Sequence, residues 1–337
     1  MMKKKILYLF LILGPLLVVL GSLFIGRYPL TFADVFQVLG YKLGFSNIAV
    51  PEAVHVNVAW DIRLPRAILG ALVGASLAAS GASLQGLFRN PLVNSGILGV
   101  SSGAGFGASL AIILFDNRTF YVYLFAFVFG ILAVALAYTI GLHYKTTPTI
   151  MLVLGGVIVS SIFSSLISLL KYIADPYEEL PSIVFWLMGS LATARFKDIL
   201  ISAIPMIAGM AGLAAMRWRI NILSMGDDEA QALGVNVLFA KGLAIFFSTL
   251  ATTGAVCVSG VIGWVGLVIP HIGRMLVGND NIVLIPTSIS LGACYLVLVD
   301  NLARTLTGAE IPLGILTSLI GAPFFIYLLK RTKAGGW

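Results

Sequence analysis

Charge is what this sequence has least of. Asp, Glu, Lys and Arg make up 10% of the 337 residues, against roughly 25% in an ordinary soluble domain, so the chain cannot clothe itself in a hydrated surface. Cysteine is down to two residues, Cys257 and Cys294, both inside apolar runs. That excludes a disulfide framework and leaves two small packing residues. The three histidines, His55, His143 and His271, lie far apart, and none has the HExxH or paired-cysteine spacing of a metal site, so no metal is expected. There is no GxxxxGK[ST] loop to cradle a nucleotide and no catalytic triad motif. A hydrolase, or any enzyme of recognisable motif, is therefore disfavoured.

What the sequence does have is apolar residue, 59% of the chain with a mean hydropathy of +1.02. It comes in blocks of about 20 residues, each enough at ~1.5 Å per residue to cross a hydrocarbon core of about 30 Å. Reading between charges and turn residues gives ten spans, 6–26, 64–86, 94–115, 119–141, 148–171, 198–216, 235–257, 262–277, 281–301 and 311–330. Lys3, Lys4 and Lys5 precede a run from Ile6 to Ile25 that is too long for a cleaved leader and lacks a small-x-small cleavage site. It reads as a first membrane helix with its N-terminus inside, and ten spans then put both termini in the cytoplasm.

The net charge of +7 does not point to nucleic acid, because the basic residues are scattered between apolar blocks and have a membrane for a partner. On the reading above, twelve of the 21 basic residues fall on the cytoplasmic side, a shallow positive-inside bias. The connections 27–63 and 172–197 are long, and both are expected on the outer face. Within the second, Ser182 to Leu191 reads as a partial helix dipping into the membrane. The span 262–277, interrupted by Gly260, Gly263, Gly266 and Pro270, reads as a broken helix.

Small residues recur at helical spacing, Gly70, Gly74, Ala78 and Ala82 in the second span and Gly99, Gly103 and Gly107 in the third. Four-residue spacing puts them on one face, where backbones can approach, so close packing is the default and a pathway lining the alternative. The middles of the spans hold no acidic residue. A carrier driven by protons or ions needs charge near the bilayer midplane, so a self-sufficient secondary transporter fits poorly. Energy for uphill transport would have to come from a partner.

The longest polar stretch expected inside is 216–234, MRWRINILSMGDDEAQALG. Ser224 followed by Asp227 suits a capping box, Asp228 and Glu229 suit a helix N-terminus, and Gly234 suits a helix stop. This reads as a short helix pair outside the membrane, a charged knob for a soluble partner; a solvated loop is the plainer alternative.

Five segments carry a family resemblance: 62–105 (IRLPRAILGALVGASLAASGASLQGLFRNPLVNSGILGVSSGAG), 186–190 (WLMGS), 229–234 (EAQALG), 263–278 (GWVGLVIPHIGRMLVG) and 310–329 (EIPLGILTSLIGAPFFIYLL). In this order they resemble the permease subunits of binding-protein-dependent ABC importers for iron-siderophores, haem and vitamin B12. The resemblance implies an all-α, ten-helix permease of the type II importer architecture in one domain, 1–337. It implies a homodimer with the path at its interface, two ABC ATPase subunits below, and a periplasmic or lipoprotein binding protein above, in a cytoplasmic (inner) membrane. ATP and magnesium would be used by the ATPase partner, with no cofactor on this chain.

Residue by residue, the resemblance makes Leu223, Ser224, Met225, Gly226, Asp227, Asp228, Glu229, Ala230, Leu233 and Gly234 the ATPase-coupling segment within 217–234. It makes Arg63, Arg66 and Arg304 outer docking arginines, able to pair bidentately with carboxylates of an incoming protein. Snorkelling, or an internal pair such as Arg304 with Asp300, stands beside that reading. Thr146, Thr147 and Thr149 resemble a cytoplasmic gate, although Pro148 fits a helix first turn equally well. The expected cargo is a metal chelate, with molybdate or tungstate as the alternative.

Overall fold

A computed structural model describes residues 2–46, 48–142 and 149–331, and among them every regular element is helical. The chain opens with α1 (Met2–Ser22) and turns into α2 (Phe32–Lys42). A capping box starts α2: the Thr31 hydroxyl takes the Asp34 amide, and the Asp34 carboxylate takes the Thr31 amide at 2.8 Å. The Thr31 hydroxyl, which donates to that carboxylate at 2.6 Å, and then the Thr31 amide hold the Asp34 carboxyl below the usual carboxylate range. After α3 (Ala53–Val56) a π-helical turn, Asn57–Arg63, runs straight into α4 (Leu64–Phe88). The second span therefore begins eleven residues earlier than the expected 64, because Pro65 sits at the start of α4 without breaking the helix that leads into it.

A 3-10 turn, Ser95–Leu98, leads to α5 (Val100–Leu114), followed by α6 (Thr119–Leu142), α7 (Thr149–Ile173), α8 (Glu179–Met188) and α9 (Phe196–Leu223). The short α10 (Asp227–Ala232) precedes α11 (Val237–Ser259), α12 (Val265–Val277), α13 (Asn281–Thr305) and α14 (Leu313–Arg331). Each of the ten expected spans coincides with one helix: α1, α4, α5, α6, α7, α9 and α11 to α14. Six are long and apolar enough to cross a bilayer: the α3–α4 unit, α6, α7, α9, α11 and α13; α1, α5, α12 and α14 are shorter apolar helices.

The α4 helix is the axis of the bundle, touching α13, α11, α9 and α12, and 83% of its most apolar window is buried, against 33% for α6, α7 and α9. Glycines allow this crowding. A Cβ on Gly74 would fall on the Gly292 carbonyl and one on Gly292 on the Gly74 carbonyl, so α4 and α13 cross backbone to backbone. Gly103 and Gly107 likewise take the carbonyls of Phe129 and Phe125 on α6, while Gly70 faces Leu191 and Val297. Gly99 departs from the expected stripe: it lies between the 3-10 turn and α5 with φ +88, so a left-handed turn explains it.

The expected interruption near 262 is present, placed before the helix. Residues 260–264 are irregular, with Gly260 at φ +67 and Trp264 at φ +68, and α12 begins only at Val265. The partial helix expected over 182–191 is α8, ending at Gly189 (φ +73). These breaks meet and supply each other's hydrogen bonds: Ser190 N–H donates to the Ser259 carbonyl at 2.8 Å, and Leu313 N–H to the Gly189 carbonyl at 2.9 Å. Irregular backbone inside a membrane bundle survives only when protein satisfies it in this way.

Candidate functional site

The α10 end of the bundle differs from the sequence reading in its details. The apolar stripe Met216, Ile220, Leu223 stays buried, so α9 continues to Leu223 and the expected loop loses its first seven residues to a helix. Ser224 does not start a helix; it closes α9, its hydroxyl donating to the Asn221 carbonyl at 2.6 Å. One short helix follows, α10, in place of the expected pair, and its N-cap is Gly226, with no side-chain cap. Gly234 ends it as expected, at φ +78.

Asp227 does not close a capping box because its carboxylate is committed elsewhere. It accepts a 2.6 Å hydrogen bond from Lys241 Nζ on α11, and Lys241 is 2% exposed. Ala230 is wholly buried beneath α10, while Met225 and Leu233 stand 60% and 57% exposed beside the exposed acids Asp228 and Glu229. The result is a small projection, anchored on one side, with an apolar and acidic outer face.

Polar ties that the sequence reading passed over brace this end. Gln85 on α4 accepts from Arg274 on α12 and donates to the Gly266 carbonyl at 3.1 Å. Asn221 at the end of α9 accepts from the Asn281 backbone N–H at 2.9 Å, joining α9 to α13. The available signal was polar side chains set at the edges of apolar blocks, Gln85 and Lys241 above all.

At the opposite, α2 end the structure corrects the placement of the arginines. Arg63, Arg66 and Arg304 are 3%, 5% and 7% exposed, so none presents a free guanidinium to the outside. Arg66 grips Asp300 with Nε and Nη2, at 2.8 to 3.0 Å, and Glu310 with Nη1 at 2.9 Å. Arg63 donates to the Leu23 and Tyr28 carbonyls, and Arg304 to the Ser22 carbonyl and to Asn301. The internal pairing of Arg304 with Asp300 is present at 4.0 Å. Charges left dry at the end of a bundle must find partners, and the end of α1, the loop after it, α13 and the loop before α14 supply them.

Near that end a cavity of about 690 Å³ opens between α5, α6, α8, α9 and the end of α11. Phe120, Trp186 and Phe185 line it on one side and Arg195, Lys197 and Asp198 on another. Of the expected gate, Thr146 and Thr147 lie outside the described residues, and Thr149 is the first residue of α7. Gly70, Gly74, Gly103 and Gly107 are spent on packing within the chain.

Comparison with known proteins gives a consistent answer. A family model described as the FecCD transport family matches residues 12–331. The molybdate import system permease protein MolB of Haemophilus influenzae is 45% identical over 315 residues, 94% of this chain and 92% of that protein. The cobalamin import system permease protein BtuC of Halobacterium salinarum is 43% identical over 284 residues, 84% and 76%. A solved structure assigned to a metal-chelate type ABC transporter in an inward-facing conformation superposes with a TM-score of 0.86 at 42% identity, covering 98% of this chain and all of that one.

Proposed function

Since this chain belongs to the FecCD transport family and is the membrane permease subunit of an ABC importer, we propose that its cargo is a metal chelate of the iron-siderophore, haem or cobalamin class. The observation that carries this reading is the likeness, over 98% of the chain at a TM-score of 0.86, to a metal-chelate type transporter. Molybdate or a related oxyanion is the second reading, favoured by the 45% identity to a molybdate permease. Selectivity in either case is expected to lie in a separate binding protein that delivers the cargo.

In the proposed cycle two copies of this chain enclose the path in a cytoplasmic membrane, with both termini and α10 inside. Two ATPase subunits seat on α10, where the exposed Met225 and Leu233 that flank the helix offer an apolar contact and its Asp228 and Glu229 offer charge. Hydrolysis of ATP belongs to those subunits. The binding protein docks at the α2 end, where Arg66 and the partly exposed Glu310 would meet it once their internal pairing opens. The deciding experiment is identification of the ligand held by the cognate binding protein, followed by ATP-dependent uptake into proteoliposomes holding the whole complex. Uptake of a ferric siderophore, haemin or cobalamin supports the chelate. Tight binding and uptake of bare molybdate would replace it with the oxyanion.

A further inference from the structure

Among the described residues, Lys241 is the largest side chain that is fully buried. A lysine ammonium without water needs an anion, and the anion it has is Asp227, 2.6 Å away on α10 with a side chain 35% exposed. This pair ties the side chains of α10 and α11 together. Glycines in positive-φ conformations flank α10, Gly226 at φ +151 and Gly234 at φ +78, so the backbone is jointed on both sides. Beneath α10 the Ala230 methyl packs into the buried cluster with residues of α9 and α11, and Val235 N–H closes the following turn on the Ala230 carbonyl. A methyl contact resists being pushed together and offers little against being pulled apart. The ion pair resists separation, because parting it strands the buried ammonium of Lys241 without its anion.

Lys241 is also well placed to pass a displacement on. It lies in the second turn of α11, which runs unbroken for 23 residues from Val237 to Ser259, about 34 Å at ~1.5 Å per residue. Thr252 on α11 donates to Ser80 of α4 at 3.0 Å, and at the far end Val258, Ser259 and Gly260 line the 690 Å³ cavity. The Ser259 carbonyl there holds the Ser190 amide just beyond α8.

We propose that Lys241 is a positioning residue of the transport cycle: through its buried pair with Asp227 it makes α11 follow α10, so that movement of α10 reaches the cavity at the other end. This rests on the reading that α10 receives the ATPase, and the test separates the two. Hydrogen exchange is measured by mass spectrometry on the assembled transporter in nanodiscs, without nucleotide and after trapping with ATP and vanadate. The wild-type complex is expected to protect residues 227–234 when the ATPase is bound, and to change exchange over residues 255–262 on trapping. Lys241→Met should keep the first effect and reduce the second at least about fivefold, and Lys241→Arg should restore it. If the Met variant does not assemble, Asp227→Asn, which removes the pair from its exposed side, carries the same expectation at 255–262. A full trapping response at 255–262 without the pair, or none in the wild type, overturns the proposal while leaving the coupling reading standing. No protection of 227–234 by the ATPase overturns the coupling reading and this proposal together.

Discussion

Single side chains at the α2 end are held by charge that has nowhere else to go. Arg66 serves two carboxylates at once, and Asp300 is only 3% exposed at its side chain. Arg66→Met is therefore expected to cost about 3–5 kcal/mol, the usual penalty for leaving one member of a buried pair unmatched. Glu310→Gln, on the more exposed partner, should cost less than about 1 kcal/mol. Thermal unfolding of the detergent-solubilised protein separates the two; equal losses would mean that Asp300 is not the residue that needs Arg66. Gly74 makes the same point for sterics. A leucine there must displace the backbone of α13, so Gly74→Leu is expected to destabilise by about 1–3 kcal/mol or more, read as a lowered Tm or loss of membrane insertion. The glycine spacing was legible in the sequence. Which helix lay opposite was not, because a four-residue repeat marks a face and says nothing of its neighbour.

Elements show where local pattern and tertiary context part company. The capping signals around Ser224 and Asp227 were real residue preferences, yet both were overruled. Burial of Ile220 and Leu223 drew α9 onward, turning Ser224 into its last cap, and the buried ammonium of Lys241 claimed Asp227. Gly234 kept its expected role since a left-handed stop depends on its own backbone alone. The exposed face of α10 carries a prediction at this scale. Leu233→Asp adds charge to a side chain 57% exposed and should leave thermal stability within about 0.5 kcal/mol of wild type. Capture of the ATPase subunit by affinity pull-down should fall at least about tenfold, corresponding to ~1.4 kcal/mol. Unchanged capture would move the ATPase contact away from α10.

For the whole molecule, the ten apolar helices alternate in direction, so α1 begins and α14 finishes toward the α10 end while α2, α3 and α8 gather at the other. A single cysteine at Gln231 in a background with Cys257→Ala and Cys294→Ala is expected to react with a membrane-impermeant maleimide only after the membrane is opened. One at Glu52 should react in intact spheroplasts. The reverse pattern would invert the proposed orientation and put α10 out of reach of cytoplasmic ATP.

The sequence alone determined that this is an all-helical, multi-pass membrane protein, and it located each of the ten apolar helices, the second of them three turns late at its start. Those conclusions depend on hydrophobic run length and on the scarcity of charge, properties that survive any arrangement of the helices. Only the tertiary structure decided that Arg63, Arg66 and Arg304 turn inward, that Gly74 meets Gly292, and that Lys241 is buried against Asp227. Each of these is a choice of partner across many residues of chain, 234 between Arg66 and Asp300. In a dry interior a charge is defined by the group it faces, and that is settled only when the helices pack.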